Sequence, residues 1–329
     1  MKKKLKIIDK IFIVAILVFL IIIISNNLHL RSNSKKIVPN GILTEVNGHN
    51  LHIYYEGENE NKPTLVFLAG RGTPAPVYDF KKLYSLFSDD YTISVIEKIG
   101  YGYADIKDTD RDIDIVLEES RTALQSVGLN GPYVLFSHSM SGLEALYWLS
   151  KYPEEIIAII GLDMAVPEFF NELKKMERIV NFQMGLTRIV SKFGFQRFYY
   201  PHKLDKNTLT AHEYKQYKYL LHRNLMNVTI YKNEPQSLFA NAEKVQISNY
   251  LNETGNMLLF SSNGKGLSDS WISYKKDFAE IMESELVILD CGHYIHHFES
   301  EKIAEKSKLF LNELLKQKEE SDLLEIEND

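Results

Sequence analysis

Residues 131–149 limit what this 329-residue chain can fold into more than any other stretch. Tyr133-Val134-Leu135-Phe136, opened by Gly131-Pro132, is a short apolar and aromatic run with the make-up of a buried strand. Leu143 to Leu149 has the composition of a helix. Between them lies Ser137-His138-Ser139-Met140-Ser141-Gly142. A strand that becomes a helix within so few residues must turn sharply, and only small flanking side chains let the two elements approach. Serine at 137 and 141 is the smallest choice after glycine and alanine. Ser139 then stands at the centre, its hydroxyl lifted clear of the sheet. Taken alone, the six residues also fit a plain polar loop with Ser139 as a helix N-cap, so the rest of the chain has to decide.

Apolar runs at Thr64–Leu68, Tyr91–Ile96, Ile156–Leu162, Met257–Phe260 and Leu286–Leu289 predict further strands. Helical spacing occupies Val77–Phe87, Asp112–Val127, Trp271–Met282 and Glu301–Leu315. Ile42–Val46 and Leu51–Tyr55 flank Asn47-Gly48, the pattern of a hairpin. Strands alternating with helices predict an α/β fold: a mostly parallel central sheet with helices on both faces. The alternation breaks once, after Val166-Pro167. Residues 168–250 look mainly helical and rich in aromatics, among them Phe169, Phe182, Phe193, Phe198, Tyr199 and Tyr217. That block reads as a helical lid inserted over one edge of the sheet.

The amino terminus is different in kind. Lys2, Lys3, Lys4, Lys6 and Lys10 precede an unbroken apolar run from Ile11 to Ile24. Extended by Ile7, Ile8, Leu28 and Leu30, it approaches the roughly 20 residues of a bilayer span. A cleaved signal peptide is the alternative, but no small-x-small site follows Ile24 closely. The preferred reading is an uncleaved anchor with a cytoplasmic amino terminus and the body outside, because the lysines lie before the span. The organisation expected is an anchor over 1–30, a linker over 31–40, core over 41–166, lid over 167–255, core again over 256–316 and a charged disordered tail over 317–329. A net charge of −6 argues against nucleic acid as a partner. Cys291 is the single cysteine, so no intrachain disulfide forms.

From 42 to 315 the chain resembles the α/β-hydrolase family. The resemblance rests on the order of elements, on Ser137 to Gly142, on Leu68-Ala69-Gly70-Arg71-Gly72 and on Cys291-Gly292-His293-Tyr294. It is nearest to bacterial hydrolases with His-Ser-Met-Ser-Gly at the turn and a Gly-Leu-Asp-x-x-Val-Pro run, here Gly161 to Pro167. The family's usual turn is G-x-S-x-G, and both of its glycine positions carry serine here. The resemblance implies Ser139 as nucleophile and His293 as its base. It also implies an oxyanion hole from the backbone N–H groups of Met140 and Arg71. The acid stays open between two positions. The loop after Met257–Phe260, where most of the family carries it, has no carboxylate before Asp269. Asp163, at the end of the preceding strand, is used by a subset of the family and is preferred on loop spacing. His296 and His297 are expected to line the pocket. A zinc site on the three histidines is disfavoured, since no His-Glu-x-x-His is present, and no cofactor or metal is implied.

The function so implied is a serine hydrolase acting on a small-molecule carboxylic ester, or an amide, of apolar character. Acyl transfer and aminopeptidase activity are alternatives on the same residues. Dehalogenase chemistry would need aspartate at position 139. A catalytically dead binding module also remains open.

Overall fold

The alternating faces of the strands explain how the core is divided. In the computed structural model, which describes residues 2–57, 59, 61–191, 204, 206–225, 227–252, 256–265, 267–268 and 270–328, eight strands form one sheet. They are β1 (Ile42–Val46), β2 (His49–Glu56), β3 (Thr64–Leu68), β4 (Ile93–Glu97), β5 (Tyr133–His138), β6 (Ile156–Leu162), β7 (Met257–Ser261) and β8 (Glu285–Ile288). Their spatial order is β1-β2-β4-β3-β5-β6-β7-β8. β1 and β2 pair antiparallel, as do β2 and β4, and the other pairs are parallel. Along β3, Val66 and Leu68 join one apolar cluster while Leu65 and Phe67 join the other. β5 divides in the same way, with Leu135 on one face and Val134 and Phe136 on the other. A sheet buried on both sides needs helices on both sides.

The helices, in chain order, are α1 (Lys2–Ser34), α2 (Pro76–Asp79), α3 (Lys81–Tyr84), α4 (Ile113–Ser126), α5 (Ser141–Lys151), α6 (Pro167–Lys175), α7 (Glu177–Ser191), α8 (Ala211–Asn224), α9 (Glu234–Gln246), α10 (Trp271–Ile281), α11 (Ile295–Phe298) and α12 (Ser300–Asn328). α4, α5 and α10 contribute to the Val66 face, and α3 and α12 to the Phe67 face. α4 is capped at its start: the Asp112 carboxylate accepts from the Asp114 N–H at 3.0 Å. Thr210 and Glu213 close a reciprocal capping box on α8. Asn47 and Gly48 both have positive φ, the conformation that an Asn-Gly hairpin turn requires.

Three expectations differ from what is found. Val77–Phe87 is two short helices, α2 and α3, whose junction at Phe80 is a turn rather than a continuous helix. The tail beyond Lys316, expected to be disordered, continues α12 to Asn328; its Glu, Lys and Leu residues are good helix formers, and Lys316 and Glu320 pair at i,i+4. Residues 31–34, assigned to a linker, are the last turn of α1. α6 to α9 lie between β6 and β7, as the break in alternation implied. Phe193, Phe198 and Tyr199 lie outside the described residues.

Within α1, Asp9–Asn33 is long and apolar enough to cross a membrane, and little of it is buried against the protein. Just beyond it the chain is fastened to α8. Gln216 donates to the Lys36 carbonyl at 3.1 Å and accepts from the Val38 N–H at 3.1 Å. Ile37 packs with Tyr214, Tyr217 and Leu220.

Candidate active site

Ser139 sits between β5 and α5 with φ at +55°, a left-handed conformation that non-glycine residues adopt at a cost. Hydrogen bonds hold it there. Its carbonyl accepts from Gly142 at 3.0 Å and from Ala165 at 2.8 Å. The flanking serines are buried and engaged: Ser137 donates to the Met164 sulfur at 3.5 Å, and Ser141 donates to the carbonyls of Leu68 at 2.7 Å and His138 at 2.8 Å. Close packing falls to two neighbouring glycines. A Cβ on Gly142 would lie 2.4 Å from the Ala165 carbonyl, and one on Gly70 would lie 2.6 Å from the Ser139 Cβ. The loop after β3 and the serine turn are therefore in backbone contact.

His293 follows β8 and reaches both Ser139 and Asp163. Its Nδ1 is 2.6 Å from Asp163 Oδ2 and its Nε2 is 2.8 Å from Ser139 Oγ. An ionised carboxylate only accepts, so Nδ1–H donates to Asp163, and the Ser139 hydroxyl donates to Nε2. Asp163 is fully buried and itself has positive φ. Its Oδ1 accepts from the Ser262 N–H at 3.0 Å, the Trp271 indole N–H at 2.9 Å and the Ser261 hydroxyl at 3.3 Å. The Lys275 ammonium also bonds this oxygen. Burial alone would raise the Asp163 pKa, but the Lys275 charge and the His293 hydrogen bond outweigh it and hold the carboxyl well below its usual range. Burial pushes Lys275 below the ordinary lysine value, against the pull of Asp163. The competing candidate, Asp269, lies outside the described residues.

His138 backs this arrangement. Its ring centroid is 4.7 Å from that of His293, and its Nε2–H donates to the His293 carbonyl at 3.2 Å. Burial, with His293 and His296 nearby, depresses its pKa far below normal, so the ring is neutral. His296 and His297 do not join Ser139. Both bond the α2 residue Asp79, His296 at 2.7 Å and His297 at 3.0 Å. These three groups offer ligand atoms within 4.8 Å of one another. Each ring N–H satisfies one carboxylate oxygen, which accounts for the convergence by hydrogen bonding alone.

Met140 opens α5 directly after Ser139. Arg71 follows Gly70, and its guanidinium is half-buried, donating to the Ile230 carbonyl at 2.8 Å and 3.3 Å and lying 3.7 Å from Glu234. It is thus tied to the inserted helical block. A cavity of about 50 Å³ adjoins the turn, lined by Ala69, Met140 and Leu143 with Leu238 of α9, and by the charged Arg111 and Glu234.

Sequence reasoning missed Trp271 and Lys275 as neighbours of Asp163. The signal was there: they stand four apart on α10, and Lys275 interrupts the stripe that Trp271, Phe278 and Ala279 bury.

No family model matches the sequence. It is 30% identical over 309 residues to the uncharacterized protein YbdG of Bacillus subtilis (strain 168), covering 91% of this chain and 94% of that protein. Among solved structures, a carboxylesterase of the thaumarchaeon Nitrososphaera gargenis superposes with a TM-score of 0.61 at 13% identity, over 84% of this chain and 100% of that one. The haloalkane dehalogenase DbeA of Bradyrhizobium elkanii superposes with a TM-score of 0.59 at 14% identity, over 84% and 98%. A thermophilic esterase of Thermogutta terrifontis gives 0.58 at 18% identity, over 83% and 97%. With this strand order and these likenesses, the chain has the α/β-hydrolase fold, and it belongs to the family of YbdG.

Proposed function

We propose that this protein is a serine hydrolase that cleaves a carboxylic ester, or an amide, through an acyl-enzyme on Ser139. The observation that carries the reading is the continuous chain from Ser139 Oγ through the His293 ring to buried Asp163, at 2.8 Å and 2.6 Å. A serine hydroxyl is a weak nucleophile until a base takes its proton. His293 Nε2 accepts that proton as Ser139 Oγ bonds to the substrate carbonyl carbon. Asp163 fixes the tautomer and stabilises the imidazolium. The carbonyl oxygen becomes an oxyanion, for which the N–H groups of Met140 and Arg71 are the proposed donors. The bond to the leaving group then breaks, and His293 returns the proton to it. Water repeats the sequence on the acyl-enzyme and frees the acid. The block of α6 to α9 acts as the lid. The cavity beside Met140 is small, with Ala69, Leu143 and Leu238 on its walls beside the ionisable Lys98, Arg111, Glu144 and Glu234, and its size favours a short acyl group. α1 acts as an uncleaved membrane anchor with a cytoplasmic amino terminus.

A fluorophosphonate probe tests the reading. The native chain is expected to be labelled on Ser139, and Ser139→Ala to be unlabelled while folded. Absence of label on the native chain, or label remaining on Ser139→Ala, rejects the nucleophile. Asp163→Asn is expected to lower kcat by roughly 10⁴ through loss of the productive tautomer. A small effect there would return the acid to Asp269.

A further inference from the structure

We propose that Lys275 is a positioning residue that sets the basicity of His293, by neutralising the face of the Asp163 carboxylate turned away from the imidazole. This rests on the reading of Ser139, His293 and Asp163 as a triad. The buried carboxylate has a surplus of donors. Asp163 Oδ1 already accepts from the Ser262 N–H, the Trp271 indole and the Ser261 hydroxyl. These three neutral groups, anchored on β7 and α10, suffice to orient a carboxylate. A buried ammonium in addition is costly, because its desolvation must be offset locally. Lys275 is 3% exposed, and its Nζ lies 4.4 Å from the Trp271 ring centroid. What it adds to the neutral donors is charge.

The groups that contact the imidazole are otherwise uncharged, while Asp290 and Glu299 lie further out, near Cys291. From β5 and the turn, His293 is faced by His138, which is neutral, and by Ser139. From α10 it meets the Trp271 ring edge-on at 5.6 Å. From its own loop and α11 come Tyr294, held protonated by burial, and His296, held neutral. Cys291, two residues earlier, is a thiol whose burial keeps it protonated. Asp79 lies beyond His296 and is covered by two ring N–H donors. Asp163 bonds the His293 ring directly, and Lys275 bonds the other oxygen of the same carboxylate. In a triad with a lone carboxylate, the imidazolium faces a full negative charge. Here it faces a carboxylate whose charge the ammonium balances. The attraction that a lone carboxylate would exert on the imidazolium is therefore weakened.

The test is the pH profile of kcat/KM on a neutral, water-soluble ester, with the full chain in detergent. Lys275→Gln keeps a donor of similar reach and removes the charge. Its acid limb is expected to move up by about one pH unit, the low end of what a neighbouring charge does. Lys275→Met, which also fills the space, is expected to move it in the same direction. Trp271→Phe removes a neutral donor from the same oxygen. It is expected to lower the plateau while leaving the limb in place, which separates charge from mere orientation. An acid limb that coincides with the native one in whichever lysine variants fold overturns the proposal, as does an equal shift in Trp271→Phe. A native chain that neither hydrolyses esters nor takes the fluorophosphonate rejects the triad itself and takes this inference with it. A native chain that does both, with an unmoved limb, rejects only the role of Lys275.

Discussion

Ser141 occupies a position where a tight strand-to-helix turn usually carries glycine, and it uses its hydroxyl there. One donor serves two carbonyls, Leu68 at the end of β3 and His138 at the end of β5. The hydroxyl thus pins the serine turn to the neighbouring strand whose loop carries Gly70. Ser141→Gly is expected to retain acyl-enzyme formation on Ser139 but to lose about 1 kcal/mol of stability, read as a lower thermal midpoint. Unchanged stability would mean that water replaces the hydroxyl without loss. Gly70 carries a stricter demand. A Cβ there would stand 2.6 Å from the Ser139 Cβ and 2.8 Å from the His138 carbonyl, so one backbone has to retreat. Gly70→Ala is expected to reduce kcat/KM by roughly 10²-fold, the effect of a displacement near 1 Å at reacting atoms. Near-native activity would show that the loop yields freely.

The joint between α2 and α11 rests on a buried acid held by two histidines. Burial pushes the His296 pKa down to about 4 from its ordinary 6.5, against the opposing pull of Asp79. For Asp79, burial raises the pKa, but His297 and His296 outweigh it and hold it well below the carboxylate range. Between about pH 6.5 and 4 the unfolded chain carries a proton on His296 that the folded chain does not. Stability therefore falls as pH drops through that window, by about 1.4 kcal/mol per unit for one such group. Below about pH 4 the histidine adds no further loss. The depressed Asp79 then acts with the same sign, since its contribution is present above the ordinary carboxylate value and disappears as pH falls. Thermal midpoints measured from pH 7 to 4 are expected to decline, and His296→Gln to decline less steeply. Parallel slopes in the two proteins would assign the acid sensitivity elsewhere.

At the scale of the whole molecule, the apolar helix and the chain just beyond it are joined to the inserted block. Gln216 of α8 bonds the chain at Lys36 and Val38, a few residues past Asn33, the end of the segment long enough to span a bilayer. If α1 is an uncleaved anchor, that clasp holds the block of α6 to α9 close to the membrane surface. The full chain is expected to fractionate with membranes, resist alkaline extraction and retain its first residues on amino-terminal sequencing. Recovery in the soluble fraction with an intact amino terminus would exclude the anchor.

The sequence by itself determined the periodicities and hence the elements. Short continuous apolar runs marked the core strands, and helical spacing marked α4, α10 and the start of α12, because covalent spacing alone sets which side chains share a face. It also placed Ser139 at a sharp turn and His293 after the last strand, since both are local events in the chain. The tertiary structure decided which distant groups meet. Asp163 and His293 are 130 residues apart and Asp163 and Lys275 are 112 apart, and their contacts exist because β6, β7 and β8 lie side by side. Loop spacing favoured Asp163 over Asp269 without showing its contact with His293, and no local pattern shows that Lys275 on an apolar stripe is facing a carboxylate. It likewise took the packing of α11 on α2 to turn His296 and His297 away from Ser139 and onto Asp79. Partners for buried charges are selected by the sheet's order and the desolvation it imposes, and neither is written in the spacing of a single segment.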